Sequence, residues 1–285
     1  MKINNISPQD KKYLQIISTI ANAPKKLYYV GTIPEQRLPT VAVVGTRKPS
    51  RYGNEVTHQL SYDLAKRGVV IVSGLALGVD GIAHRAALQA GGITIAVQAN
   101  GLSQISPSTH RQLGIDIIQN NGLIVSAYEP HVTARKFQFL DRNRIVSGLS
   151  DAIIITEAAS RSGTLNTAMH ALDQGRTVFV VPGNITSPLS AGCNTLLKQG
   201  ATPVTCAQDI LEVIAPSLLQ PQTSLALGDT PLESAIITLL QQGIRDGEVL
   251  HQQSGASAAE FSMALTMMEI NGVIRGLGGN QWTLV

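Results

Sequence analysis

From Val41 to Ile214, short β-branched runs alternate with helical patterns, and this alternation constrains the fold more than any other feature of the chain. Val41–Val44, Val69–Val72, Thr94–Val97, Leu123–Val125, Ile153–Ile155 and Val178–Val181 read as strands. Amphipathic segments such as Asn54–Lys66, Ile82–Gln89 and Thr164–Asp173 lie between them. A strand that is apolar along its whole length has no face to give to water, so helices must cover both sides of the sheet. The expected class is therefore α/β, with an extended Rossmann-like, doubly wound parallel sheet. In such sheets crossovers are right-handed, and ligands bind beyond the carboxyl ends of the strands.

The rest of the chain divides around that core. Residues 1–30 read as a short helix, Pro8–Ala21, with a lead-in to the first strand, and 31–214 as the Rossmann-like domain. Residues 215–230, rich in Pro, Gln and Ser, read as a linker. Residues 231–285 suggest three helices, Leu232–Leu240, Gly247–Gln253 and Ser257–Asn271, then a small turn and strand over Gly276–Leu284, which together describe a winged helix. Hydrophobic residues make up 44% and charged residues 14%, which excludes a disordered chain. No apolar run reaches the ~18–20 residues that span a bilayer, so no membrane partner is expected. The opening MKINNISPQDKK has no apolar signal core, and the expected location is the cytoplasm. Cys193 and Cys206 have neither metal-ligand nor redox spacing, so no metal is expected.

Charge is unevenly spread. Residues 1–212 hold 20 Lys and Arg against 13 Asp and Glu, whereas residues 213–285 hold two against six. The first part is the candidate for an anionic partner.

Three turns at strand ends could receive such a partner. Gly45-Thr46-Arg47 follows the first strand, and Ser50-Arg51-Tyr52-Gly53 leads into a helix. Small residues there let backbone N–H groups approach a phosphate, and Arg47 adds a bidentate donor. The absence of a GxGxxG and of an acid about 20 positions on argues against a dinucleotide cofactor, and no cofactor is expected. Ser73–Asp80 forms a second small-residue turn around Gly74, and Asp80 with His84 reads as a pair bracing it rather than as an acid–base couple. Ser162-Gly163-Thr164 opens a helix after the strand Ile153–Thr156.

The most informative stretch is Arg135–Arg144. Four cations and two phenylalanines fall within ten residues, in a segment read as a loop running into a helix. Cations neutralise phosphates, and aromatic rings offer faces on which bases stack without regard to sequence. Phe139, flanked by cations, reads as the platform and Phe137 as the better core residue.

These motifs resemble those of the DNA-processing protein A (DprA/Smf) family in order and spacing. The resemblance is carried by VAVVGTRKPSRYG, IVSGLALGVDGIAH, FLDRNRIVSGLS, EAASRSGTLNTAMHALDQGR and VFVVPGNITSPLSAGCNTLLKQGA, from about Leu27 to Ile214, and the tail is similar to the family's winged helix. It implies a non-catalytic protein that binds single-stranded DNA without sequence specificity, dimerises, and loads the RecA recombinase on incoming DNA during natural transformation. By position it implies phosphate contacts at Arg47 and Lys136, stacking on Phe139, an Arg142-Asn143-Arg144 motif, and close backbone approach at Gly74 and Gly163. With Ser162 and Thr164 these make the expected nucleic-acid-binding set. The implied dimer surface is Leu189–Leu197.

The chain departs from the family pattern at Leu140, usually proline, at Gln98–Pro107, and at Ala127-Tyr128-Glu129. Two other readings compete with DNA binding. Nucleotide-cleaving Rossmann enzymes, similar to cytokinin-activating phosphoribohydrolases, need a glutamate soon after their Gly-Thr, but Thr167 stands three positions after Thr164 and no acid precedes Asp173. A nucleotide-sensing module binding a small phosphorylated ligand needs donors like those of a DNA-binding crevice, and stands as the alternative. The third winged-helix segment, Ser257–Asn271, carries Glu260 and Glu269 but neither Lys nor Arg, so it reads as a protein-contact or regulatory element.

Overall fold

The structure is a computed structural model describing residues 2–219 and 230–284. The chain forms two compact units, Met1–Leu219 and Gln220–Val285. In the first, β1 (Asn4–Ile6), β2 (Leu27–Gly31), β3 (Thr40–Val44), β4 (Val70–Ser73), β5 (Thr94–Gln98), β6 (Leu123–Ser126), β7 (Ala152–Ile155), β8 (Thr177–Val180) and β9 (Thr202–Pro203) make one sheet in the order β1-β2-β6-β5-β4-β3-β7-β8-β9. The seven strands from β6 to β9 in that order are parallel, and β1 and β2 add an antiparallel edge.

Alternate residues of each strand serve opposite faces. Val41, Val43, Ile71, Ile154 and Phe179 pack on α1 (Arg51–Lys66), α2 (Val79–Gln89) and α7 (Ala207–Ile214). On the same side α3 (Arg111–Gln119) covers Ala96 and Ile124. Ala42, Val44, Val72, Ile153 and Ile155 pack on α4 (Lys136–Gly148), α5 (Gly163–Asp173) and α6 (Ala191–Lys198). Burial on both faces explains the unbroken apolar runs. The chain travels from β3 through β4 and β5 to β6, then returns to place β7 on the other side of β3. The strand order therefore reverses between β3 and β7, where a doubly wound sheet opens a crevice.

The N-terminal segment departs from the expected helix. Two short 3-10 helices, Pro8–Asp10 and Gln15–Thr19, replace it, and β1 and β2 join the sheet. The run Ile16-Ile17-Ser18-Thr19-Ile20 is rich in residues that lose χ1 freedom in a helix or compete with its backbone. Tyr13, Leu14 and Ile17 are instead wholly buried against the sheet.

Asp80 and His84 do not bond each other. Asp80 accepts from the N–H groups of Gly74 and Ala76, so it alone braces the turn. His84 Nδ1 lies 2.7 Å from Thr94 Oγ1, which donates to the Ile71 carbonyl, so the histidine is the donor. His84 Nε2 is buried without a partner, and burial holds the imidazole's pKa down at about 3. The unfolded chain therefore binds a proton near pH 6.5 that the native state refuses, so this contribution is present above pH 6.5 and is lost as pH falls toward 3. It is on the order of 5 kcal/mol over the whole window. Burial raises Asp80, which acts in the opposite sense as pH falls. His84→Asn keeps Asp80, and is expected to flatten the fall in melting temperature between about pH 7 and pH 4.5. An unchanged slope would remove His84 as the acid-sensitive group.

In the second unit, α8 (Pro231–Gln241), α9 (Gly247–Ser254) and α10 (Ala258–Ile270) precede the antiparallel pair β10 (Ile274–Gly278) and β11 (Gln281–Leu284), a winged-helix arrangement. Thr230 with Glu233 and Ser257 with Glu260 form capping boxes that fix where α8 and α10 begin. Ile236, Ile237, Leu250, Phe261, Leu265, Met268 and Ile274 form the core. Most of the expected linker, residues 220–229, lies outside the described residues.

Candidate functional site

A crevice of about 420 Å³ opens at the carboxyl ends of β3, β4 and β7, where the strand order reverses. Its walls are the turn Gly45–Arg47 after β3, the turn from Gly74 to Asp80 after β4, Arg161–Thr164 at the start of α5, and one flank of α4. Eight of the ten expected residues line it: Arg47, Gly74, Phe139, Arg142, Asn143, Ser162, Gly163 and Thr164.

Helix α4 supplies one wall because its sheet-facing stripe is Gln138, Arg142, Ile145, Val146 and Leu149, all buried at helical spacing. Phe137 lies off that stripe and is 56% exposed, which corrects its expected place in the core. The helix begins at Lys136, so the expected loop is already helical at both phenylalanines. Phe139 is half-buried and turns its ring into the crevice. The Arg47 guanidinium sits 5.6 Å from the ring centroid and that of Arg142 6.0 Å away. Both separations fall within cation–π range.

The two arginines differ in what else they hold. Arg142 is buried and donates from Nη1 to the Gly74 carbonyl at 2.5 Å and to the Val97 carbonyl at 2.8 Å. It ties β4 and β5 to α4 and sets a positive charge near buried Asp80. Burial pulls its pKa below the usual arginine value, and Asp80 opposes that pull. Arg47 is exposed, and the only ion pair among the described residues is Arg37–Asp151. Arg47 and Arg161 therefore present to the crevice cations that are in no ion pair among the described residues. Arg161 was absent from the expected set, although its place just before Ser162-Gly163-Thr164 was legible.

The glycines also separate. A Cβ on Gly74 would stand 2.1 Å from Arg142 Nη1, so this glycine makes room for the arginine rather than for a ligand. A Cβ on Gly163 would meet nothing within 4 Å. Ser162 Oγ accepts from the Thr164 N–H and caps α5, while the Gly163 N–H has no hydrogen-bond partner among the described residues. That N–H, at the positive end of a helix, is left to an anion entering the crevice. Gly163→Ala is expected to leave the melting temperature unchanged or slightly raised, and to weaken binding of an anionic ligand that approaches this N–H. Gly74→Ala is expected to destabilise by about 1–3 kcal/mol through overpacking against Arg142. Thermal melts of the two variants check the contrast, and equal melting temperatures would contradict it.

Two expected residues lie outside the crevice wall. Lys136 is exposed on the first turn of α4. Arg144 points away, donating to the carbonyls of Ala21 and Asn22 and lining a different depression.

With this geometry in hand, the similarities to known proteins are specific. A model of the family described as DNA recombination-mediator protein A matches residues 4–215. The chain belongs to that family. A DprA winged helix domain matches residues 220–280. The chain is 43% identical to Protein Smf of Escherichia coli K12 over 211 residues, which are 73% of this chain and 56% of that protein. It is 43% identical to DNA processing protein DprA of Streptococcus pneumoniae over 210 residues, 74% of each. It thus spans little more than half of the Escherichia coli protein's length. Among solved structures, DNA processing protein A from Streptococcus pneumoniae matches with a TM-score of 0.70 at 40% identity, covering 75% of both chains. A structure concerned with the single-stranded DNA binding mode of DNA processing protein A from Helicobacter pylori matches at 0.66 and 35% identity, covering 76% of this chain and 97% of that one. Among the described residues, no helix is long and apolar enough to cross a membrane.

Proposed function

We propose that the chain binds single-stranded DNA without sequence preference in the crevice between β3 and β7, and that it mediates recombination rather than catalysing a reaction. The observation that carries this reading is the Phe139 ring beside two guanidinium groups, in a crevice that Gly163, at the start of α5, also lines. The cations meet phosphates, the helix start meets another, and the half-buried ring takes a base. Membership of a recombination-mediator family and likeness to the Helicobacter pylori protein support it.

In this reading the partners are single-stranded DNA, the RecA recombinase and a second copy of the chain, and the setting is incoming DNA in the cytoplasm during natural transformation. The expected dimer stretch has few apolar side chains to offer, since Cys193 and Leu196 are buried and Leu197 packs on the core. Exposed Met169 and Leu172 on α5 suit a self-association surface better. The winged helix serves protein contact: Met263, Met267 and Ile270 are exposed on α10, with no cation on that helix.

A crevice of 420 Å³ also suits a mononucleotide. Competition separates the readings. A fluorescent oligothymidylate bound to the protein is expected to resist a large excess of thymidine monophosphate and to yield to unlabelled oligothymidylate. Displacement by the mononucleotide at comparable concentration would favour a nucleotide sensor.

A further inference from the structure

Helix α4 has two polar flanks, and only one faces the crevice. On the other, Asp141 and Arg144 line a second depression of about 520 Å³. Lys25, Lys26 and Tyr28 form its opposite wall, and Tyr128 and Glu129, just beyond β6, close it. Arg144 holds the carbonyls of Ala21 and Asn22, so α4 fastens the segment that carries the two lysines. Both lysines are exposed, and neither is in an ion pair among the described residues. The Tyr128 hydroxyl donates to Asp141 Oδ2 at 3.3 Å, so that carboxylate is already engaged, and Glu129 remains as an exposed acid. Both tyrosines are half-buried.

The two depressions share one edge of the sheet. Tyr28 pairs with Ser126 at the carboxyl end of β6, and the crevice lies at the carboxyl ends of β3, β4 and β7. Only β5 separates β4 from β6, so about 10 Å lies between those two strand ends. A few nucleotides span that gap. A strand gripped in the crevice has to continue somewhere, and across α4 it meets free cations and aromatic rings again.

We infer that this depression is a second subsite for the same DNA strand, in which Lys25 and Lys26 take backbone phosphates, Tyr28 or Tyr128 offers a ring to a base, and Arg144 is the positioning residue. This rests on the single-strand reading of the crevice. It gives Arg144 a part in binding although it does not reach the crevice.

The test compares the full chain with Lys25→Ala/Lys26→Ala, using oligothymidylates of about six and about 25 nucleotides in fluorescence anisotropy. The short strand fills the crevice alone and is expected to bind both proteins equally. The long strand is expected to bind the variant on the order of tenfold more weakly, with a log K against log salt slope shallower by about 1.4 for two lost phosphate contacts. Lys11→Ala/Lys12→Ala, an equally exposed pair outside the depression, controls for loss of charge and is expected to leave both affinities unchanged. The subsite is overturned if Lys25→Ala/Lys26→Ala binds the long strand as the parent does, if it weakens both strands alike, or if the control pair costs as much. Failure of the parent to bind even the short strand would instead remove the single-strand reading itself, and the subsite with it.

Discussion

Arg142→Ala is expected to lower the free energy of unfolding by about 3–5 kcal/mol, the scale of stripping one partner from a buried charged network. The guanidinium satisfies the carbonyls of Gly74 and Val97 and opposes the charge of Asp80, all of them largely buried at the floor of the crevice. Its loss leaves two carbonyl acceptors without their donor and Asp80 without its opposing charge. Arg47→Ala, at the same ring, is expected to change stability by no more than about 0.5 kcal/mol, because its side chain is exposed and makes no hydrogen bond among the described residues. It is expected to weaken single-strand binding instead. Urea denaturation and anisotropy on both variants separate an arginine that builds the site from one that uses it. An Arg142→Ala protein as stable as the parent would contradict the assignment.

Phe139→Ala is expected to reduce single-strand affinity by about 1–3 kcal/mol, the contribution of one stacked base. A fully buried phenylalanine would cost about 3–5 kcal/mol of stability on truncation, but this ring is only half-buried and its neighbours on the crevice side are cations. Stability is therefore expected to fall by much less than that. Phe137→Ala serves as the control. Its ring is exposed and lines neither the crevice nor the second depression, so neither melting temperature nor affinity is expected to move. A Phe139→Ala protein that melts far lower yet binds normally would mean that the ring packs and the crevice grips by charge alone.

The parallel sheet was legible because each of its central strands is buried on both faces, and burial on both faces writes itself as a continuous apolar run. β1, β2 and β9 escaped for the opposite reason. β9 is two exposed residues, and Asn4–Ile6 is a half-exposed edge with no alternation to detect. The crevice was legible in its small-residue turns, since Gly45, Gly74 and Gly163 each follow a strand. What each glycine makes room for was not, because Gly74 answers to Arg142, 68 positions away. Phe137 and Phe139 were assigned on extended geometry, and the segment is helical. Two residues apart is nearly opposite in either geometry, so the sequence separated their faces but could not say which one met the core. Arg144 was grouped with Arg142 as one Arg-Asn-Arg run, yet residues two apart on a helix are rotated by about 200°, and that rotation sends it to the other flank.

The most direct measurement of the central claim is a mobility shift with the full chain on a single-stranded oligonucleotide, on a second of unrelated sequence, and on the duplex of the first, across a salt series. Tight and equal retention of both single strands is expected, with markedly weaker retention of the duplex, and Arg47→Ala is expected to shallow the salt slope by about 0.7 on each single strand. Equal affinity for single strand and duplex, or an Arg47→Ala protein that binds as the parent does at low salt, would contradict a crevice built from Arg47, Phe139 and the start of α5 to hold single-stranded DNA.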